Sequence, residues 1–535
     1  MSKTQFTTAF ALIVILSTPA AGQIGQLANE GKRGLHVRSI DEVLRLSEED
    51  VDLGTAVLVV SEQWSDMVQG RKYLAALDEM AIEIGERLRR QKMRPTHKAI
   101  PIINDYLFGE LGFTPISDAD DPNDLFLHSV LDRRRGYCLS LSVLYLAIGE
   151  RLGMPLQGVV VPGHFFVRYE SGQIRFNIET TSKGAILSDD HYIDKFKVPS
   201  DRGGIYMKSL SKVQTLGCFF NNLGNVYHDT GNLQMALLAI ERAVQINPDL
   251  SESRANLGNI YLKLGRVEQA ISQYQTALEI NLKDPRTHSN IGNAYLERGW
   301  LNYAVGHYRQ SLELDPNFVD GYRNLAIAYC RQERYTEALS QLRQAINLVP
   351  TDAGLYRQMA DVYCQTGSYS EAMAQFNKAI AFNPDLAEAY HGLGICYSKL
   401  GMAEQEIGAY KRALAIKPDM VVALVSLGNA YFTKKDYDSA IGQYSKAAKL
   451  KPDDSRINYN LGSAYSNKGN FEQAVVYYSK AVSIDPDMGD AHYGLAYGLY
   501  MLKKYDTAWK HINIAVKLGV EVPKEQIEAI RNNLK

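Results

Sequence analysis

From Gly217 to Val522 one pattern recurs nine times at an unbroken period of 34 residues, with no insertion or deletion between copies. A constant period of this length marks stacked supersecondary units, each burying its apolar face only against its neighbours. Tyr recurs at Tyr227, Tyr261, Tyr295, Tyr329, Tyr363, Tyr397, Tyr431 and Tyr465, with Leu499 in the ninth copy. Three residues earlier stands Gly or Ala, as in Gly224, Gly258, Gly292, Ala326 and Gly428. Two alanines seven residues apart follow, for example Ala236 and Ala243 or Ala270 and Ala277, and a proline such as Pro248, Pro350 or Pro486 closes the unit. Apolar spacings of three and four predict two helices per unit, and proline after Asn or Asp ends the second. Small residues let the two helices approach, with the recurrent Tyr expected to fill the space between units.

The pattern resembles the tetratricopeptide repeat (TPR) family over 306 of the 535 residues, 217–522. The resemblance implies an all-α TPR solenoid that takes a protein or peptide partner in the groove lined by the first helix of each unit. That face carries Asn222, Asn225, Asn256, Asn259, Asn290 and Asn293, continued in part by Asn324, Asn429 and Asn460. Asn offers a donor and an acceptor, which suits the backbone of an extended peptide. Arg323 and Arg357 add positive charge midway along the face. Glu406 in place of the first Ala predicts a looser sixth hairpin, and Ser311 and Leu282 replace the later Ala and the Pro of their units. Residues 523–535 read as an amphipathic capping helix.

Composition narrows the remaining choices. Net charge is −2 with 22% charged residues, which gives no whole-chain case for nucleic acid or a membrane surface. The five cysteines do not make a disulfide framework, and those inside the repeats are expected as small buried apolar residues. At the start, Lys3, the apolar run Ala9–Leu16 and the small-residue stretch Ser17-Thr-Pro-Ala-Ala-Gly22 read as a signal peptide, 1–22. Export to a periplasm or the exterior is the expectation, with an uncleaved anchor as the competing reading. No further membrane span is expected.

Residues 23–216 do not fit the repeat frame and read as an α+β domain, helices first and an antiparallel sheet after. Ser61 through Arg90 is amphipathic, Ile102–Leu111 is a second helical stretch, and Ser140–Leu152 is a strongly apolar helix closed by Gly153. Val159–Val161, Phe165–Tyr169 and Ile174–Glu179 alternate as strands. Cys138 thus opens a buried helix, where unpaired backbone N–H groups favour a thiolate. His164 and Glu179 lie on neighbouring strands, so an imidazole and an orienting carboxylate can stand beside the thiol.

Cys, His and acid in the order helix, strand, strand resemble the transglutaminase-like superfamily, which shares this constellation with papain-like peptidases. The likeness is closest to its bacterial SirB-type branch, through Leu131-Asp-Arg-Arg-Arg-Gly136, Glu150-Arg-Leu-Gly-Met-Pro155 and Pro162-Gly-His-Phe165. It implies Cys138 as nucleophile, His164 as base, and Glu179 or Asn177 as the orienting residue, where relatives usually have Asp. Arg133, Arg134 and Arg135 could hold a carboxylate, or be a solvated basic turn. Neither a metal-ligand spacing nor a glycine-rich phosphate loop is present in the sequence, so no cofactor is expected. The expected function is thioester acyl transfer on an amide bond, with the TPR array recruiting a protein or peptide. The alternative is a TPR scaffold with a degenerate transglutaminase-like domain.

Overall fold

A computed structural model describes residues 37–65, 68–117, 121–198 and 205–534; the signal peptide read at 1–22 lies outside them. The chain forms two compact units, one running to Leu314 and one from Asp315 to Lys535.

The first unit begins with helices α1 (Ile40–Val43), α2 (Leu53–Trp64), α3 (Gly70–Arg90), α4 (Ile100–Asn104) and α5 (Leu127–Arg133). A short π-helical turn, Asp105–Glu110, follows α4. Thr114–Pro115 (β1) pairs in parallel with Arg135–Gly136 (β2). Next comes α6 (Cys138–Arg151), buried from Cys138 through Gly149 and therefore apolar around its whole circumference. Against it lies a sheet of β3 (Leu156–Val161), β4 (His164–Ser171), β5 (Ile174–Glu179), β6 (Ala185–Leu187) and β7 (Ser209–Leu210), in the order β6-β5-β4-β3-β7. All its pairings are antiparallel. Helix α7 (Asp189–Phe196) follows β6. The sequence reading finds α6 and the three long strands, but not β6, α7 or β7, which are short and carry little periodicity.

The first repeat helix, α8, spans Lys212–Asp229 and so starts five residues before the repeat frame, with Ser211 and Gln214 closing a capping box. Phe219 and Phe220 sit where the next unit has Ser253 and Arg254. They are buried because the amino-terminal domain covers them: Phe219 meets Phe126 and Phe220 meets Trp64, with ring centres 6.2 and 5.5 Å apart. One core runs from the domain into this first hairpin. Every later unit is likewise a pair of helices, and Lys524–Arg531 forms the final helix.

The glycines of the repeat explain its packing. A Cβ on Gly258, Gly292, Gly428 or Gly462 would fall 2.4 to 2.6 Å from the rings of Tyr274, Tyr308, Tyr444 or Tyr478. The ring that fills the notch is therefore the tyrosine sixteen residues later on the second helix, not the Tyr261-type residue, which is only half-buried in most units. Gly258→Ala should cost about 1–3 kcal/mol in chemical denaturation, because the added methyl displaces a fully buried ring. Gly306, with open space around its Cβ, supplies the control. There the same substitution should be neutral or stabilising by up to about 1 kcal/mol.

Two departures from the repeat are absorbed. Ser311 is buried, and its hydroxyl donates to the Pro285 carbonyl at 2.6 Å. Glu406 does not shorten its helix: Ala403–Ile416 has the 14 residues of its counterparts, and buried Ile407 and Tyr410 carry the packing while the Glu side chain stays half-exposed.

Candidate active site

The turn Arg135–Cys138 is fixed before any function is considered. The Tyr137 N–H donates to Ser140 Oγ at 2.8 Å, and Ser140 Oγ donates to the Asp124 carbonyl at 3.2 Å. A Cβ on Gly136 would lie 2.8 Å from Ser140 Oγ, so only glycine lets the chain pass this close. Cys138 then opens α6 with 6% of its surface exposed.

His164 is aimed by the β3–β4 hairpin. Val161 and His164 are paired, leaving Pro162–Gly163 as a two-residue turn with Gly163 at φ +70°. Proline followed by a residue in the left-handed region is the type II requirement, and glycine meets it without strain. Glu179 ends β5 on the same face, because Phe166 and Glu179 continue the β4–β5 register and side chains alternate along each strand.

These elements bring three side chains together. His164 Nε2 lies 2.7 Å from Glu179 Oε2, which leaves Nδ1 for the Cys138 thiol hydrogen-bonded to the same ring. Glu179 is itself held at both oxygens. Tyr192 OH donates to Oε2 at 3.0 Å, and the Thr181 N–H and hydroxyl donate to Oε1 at 3.0 and 2.5 Å. The His164 ring stacks on Phe196 at 4.6 Å and an interplanar angle of 4°. Thr180 ties the parts together, its hydroxyl meeting the Cys138 carbonyl at 3.5 Å and Ser142 Oγ at 2.9 Å.

Electrostatics follow from these contacts. Burial alone would lower the His164 pKa, but its bonds to Cys138 and Glu179 outweigh that and push it up to about 9. Burial raises the Glu179 carboxyl, yet the bonds from His164 and Thr181 hold it below the usual carboxylate range. The stabilisation linked to His164 is thus complete below an ordinary histidine pKa and is lost as pH rises through about 9. That linked to Glu179 is present above an ordinary carboxylate pKa and is lost as pH falls through its lowered value.

Asn177, the other candidate for orienting His164, sits elsewhere on β5. Its Oδ1 accepts from Arg168 Nε at 2.9 Å and its Nδ2 donates to Asp189 at 2.8 Å. Register pairs it with Arg168, two residues along from the position that meets His164. The three arginines before Cys138 are engaged as well. Arg133 and Arg135 reach Asp124 at 2.8 and 3.3 Å, and Arg134, in the left-handed C-cap of α5, donates to the Leu111 carbonyl at 2.7 Å. These contacts brace the turn before Cys138.

Tyr192, Phe196, Thr180 and Thr181 belong to the site and escape the sequence reading. Their only sequence signal is adjacency to Glu179 and an aromatic pair four apart in an unremarkable acidic stretch. A repeat hairpin also reaches the site's margin. Glu252, in the first turn of the helix Ser251–Lys263, contacts the Gly163 backbone and Tyr206. Burial pushes its carboxyl up to about 7.

The asparagine ladder is largely an internal network in the first unit. Asn222 Nδ2 donates to the Cys218 carbonyl, Asn256 to Asn221 Oδ1, and Asn290 to Asn259 Oδ1, at 3.0 to 3.1 Å. Tyr274 and Tyr308 hydroxyls donate to Asn259 and Asn293 at 2.8 and 2.7 Å. Asn225 is half-buried on the same face. In the second unit Tyr444 OH donates likewise to Asn429, at 2.6 Å. There Arg323 pairs with Asp352 at 2.7 Å and Arg357 with Asp361 at 2.6 Å. Arg323, Arg357 and Asp361 line a cavity of about 330 Å³ together with Ile327, Arg331, Gln358 and Val362. Asn324 and Asn460 are half-buried in their helices.

Comparison with known proteins agrees with this architecture. Residues 71–204 match the family model of the transglutaminase-like superfamily. Successive segments from residue 219 to 510 match models of the tetratricopeptide repeat. The chain is a transglutaminase-like domain followed by a TPR array. It is 26% identical over 209 residues to the UPF0162 protein of Xylella fastidiosa (strain 9a5c), covering 38% of this chain and 73% of that protein. Over 120 residues it is 32% identical to F-box only protein 21 of Homo sapiens, covering 22% of this chain and 18% of that one. Among solved structures, a tetratricopeptide repeat protein from Parabacteroides merdae aligns at 19% identity and a TM-score of 0.39, covering 46% of this chain and 98% of that chain. Among the described residues no helix is long and apolar enough to cross a membrane.

Proposed function

We propose that the amino-terminal domain is a cysteine-dependent acyl transferase or amide hydrolase and that the TPR array brings a protein or peptide to it. The observation that carries this reading is the continuous chain Cys138–His164–Glu179, with Tyr192 and Thr181 completing the carboxylate's bonds. A carboxylate on Nε2 fixes the ring and favours its charged form, so Nδ1 can exchange a proton with the thiol. The Cys138 sulfur attacks an amide carbonyl carbon, and His164 passes its proton to the departing amine. The resulting thioester is then cleaved by water or a second amine, which His164 deprotonates. The first N–H groups of α6, which have no intrahelical acceptor, are the donors this reading assigns to the developing oxyanion.

The array's contribution to this reading is recruitment. With the Asn259 and Asn293 carbonyls committed to tyrosine hydroxyls, their amide N–H groups remain to meet a peptide carbonyl. Exported localisation, inferred from residues 1–22, belongs to the same proposal.

Alkylation of Cys138 by iodoacetamide tests the pair directly. The rate near neutral pH should exceed that of a free thiol by about tenfold or more, since the imidazolium favours the thiolate. The advantage should shrink as the free thiol itself ionises through about pH 8.5, and the imidazolium's contribution ends at about 9, where His164 loses its proton. His164→Ala should abolish it. A rate no faster than that of a model thiol would leave the non-catalytic scaffold as the function of the chain.

A further inference from the structure

Cys364 and Cys396 take no part in the acyl-transfer reading. Cys364 lies on the helix Ala353–Gln365 and Cys396 on Ala387–Lys399, the first helices of two consecutive hairpins in the second unit. Their sulfurs are 3.4 Å apart. Register produces the contact. Cys396 occupies the place held in other units by Ile260, Ala294, Ala328, Val362 and Ala430, all buried between hairpins. Cys330 stands one unit before Cys364 in the same register, but the place equivalent to Cys396 is there Val362, so it has no thiol to meet. The two positions oppose each other along the array, and only here are both filled by cysteine.

We propose that Cys364 and Cys396 form a modification site, a dithiol that disulfide exchange converts into a covalent bridge between these two helices. The two thiols differ in access: Cys364 is half-buried and Cys396 fully buried. Cys364 therefore meets the oxidant. Its thiolate attacks one sulfur of an external disulfide and expels the other half as a thiolate, leaving a mixed disulfide on Cys364. Cys396 gives up its proton, attacks the Cys364 sulfur and expels the second half. One external disulfide is reduced to two thiols as two protein thiols become one bridge. The hydrogen bond from Cys396 favours the thiolate at Cys364, the residue that acts first. Closure to a bonded sulfur distance of about 2.05 Å needs a movement of roughly 1.4 Å, within reach of side-chain rotation and small helix shifts. Arg357, Gln358 and Asp361, on the same helix as Cys364, line the 330 Å³ cavity, so the bridge would fix one of its walls.

The full chain carrying Cys138→Ser, which removes the reactive thiol of the other domain and leaves four cysteines, should be incubated folded with oxidised glutathione and then alkylated. Non-reducing peptide mapping is expected to show one linked pair, Cys364 to Cys396, with free thiols falling from four to two. The melting temperature should rise by roughly 5–10 °C, as expected for closing a loop of this length. Cys396→Ser should trap glutathione on Cys364, and Cys364→Ser should leave Cys396 unmodified. Four persisting thiols, a different linked pair, or glutathione retained on Cys364 while Cys396 is present would each overturn the proposal. The mapping decides the matter by itself should Cys364→Ser or Cys396→Ser fail to fold, and it can be run on the unsubstituted chain with its five cysteines should Cys138→Ser fail to fold.

Discussion

Cys138→Ala should eliminate the covalent acyl-enzyme formed with an activated ester such as p-nitrophenyl acetate, and should lower turnover by about 10⁴-fold or more. The magnitude follows from what is removed. The other members of the proposed site position and charge the sulfur, and without it they have nothing to act on. Loss of stability should be small, because a thiol at the head of a buried helix is replaced by a slightly smaller apolar group. Glu179→Gln tests the support of the ring. It keeps the shape but removes the charge facing His164 Nε2, and should lower the rate by about 10²–10⁴-fold. Mass spectrometry of the quenched reaction and the steady-state rate provide the readouts. An acyl adduct on the Cys138→Ala chain, or unchanged turnover, would remove Cys138 from the mechanism.

Arg168→Ala should destabilise the first unit by about 3–5 kcal/mol, seen as a lower denaturation midpoint. Arg168 is fully buried on β4 and donates to Asn177, the Met207 carbonyl and Asp189, at 2.8 to 2.9 Å. Truncation removes the donor to Asn177 Oδ1 and to the Met207 carbonyl, while Asp189 keeps Asn177 Nδ2 and Arg175. Desolvation favours the neutral form of the guanidinium, and Asp189 is its principal compensation. The Arg168–Asn177–Asp189 cluster links β4 and β5 to the start of α7, the helix that supplies Tyr192 and Phe196 to the candidate site. A loss of acyl transfer in this variant should therefore accompany loss of the fold. Arg168→Lys should recover little of the stability, because a single ammonium cannot reproduce the fork that holds three acceptors.

Legibility differed between the two halves of the chain. A hairpin that repeats every 34 residues announces itself, because each small residue, alanine and proline answers a local steric demand met again in the next unit. Even there, periodicity leaves open which aromatic fills the glycine notch. Tyr261 and Tyr274 are both recurrent, and only packing shows which ring enters the space beside Gly258. The asparagines behaved similarly. Their spacing placed them on one face, but their bonds to tyrosine hydroxyls and to one another depend on neighbouring units.

For the candidate site, the sequence alone determined which residue types could supply chemistry and on which elements they stand. Cys138 opens an apolar helix, His164 follows a Pro-Gly turn, and Glu179 ends a strand; these are properties of short stretches. Tertiary structure decided the choice between Glu179 and Asn177. Both lie on one face of β5, two residues apart, and nothing local distinguishes an amide from a carboxylate as the partner of His164. The β4–β5 register does, setting Asn177 opposite Arg168 while Glu179 reaches the imidazole. It also recruited Tyr192 and Thr181 to the carboxylate and brought Cys396 against Cys364. Periodicity is written residue by residue, whereas these contacts join positions that become neighbours only when the chain has packed.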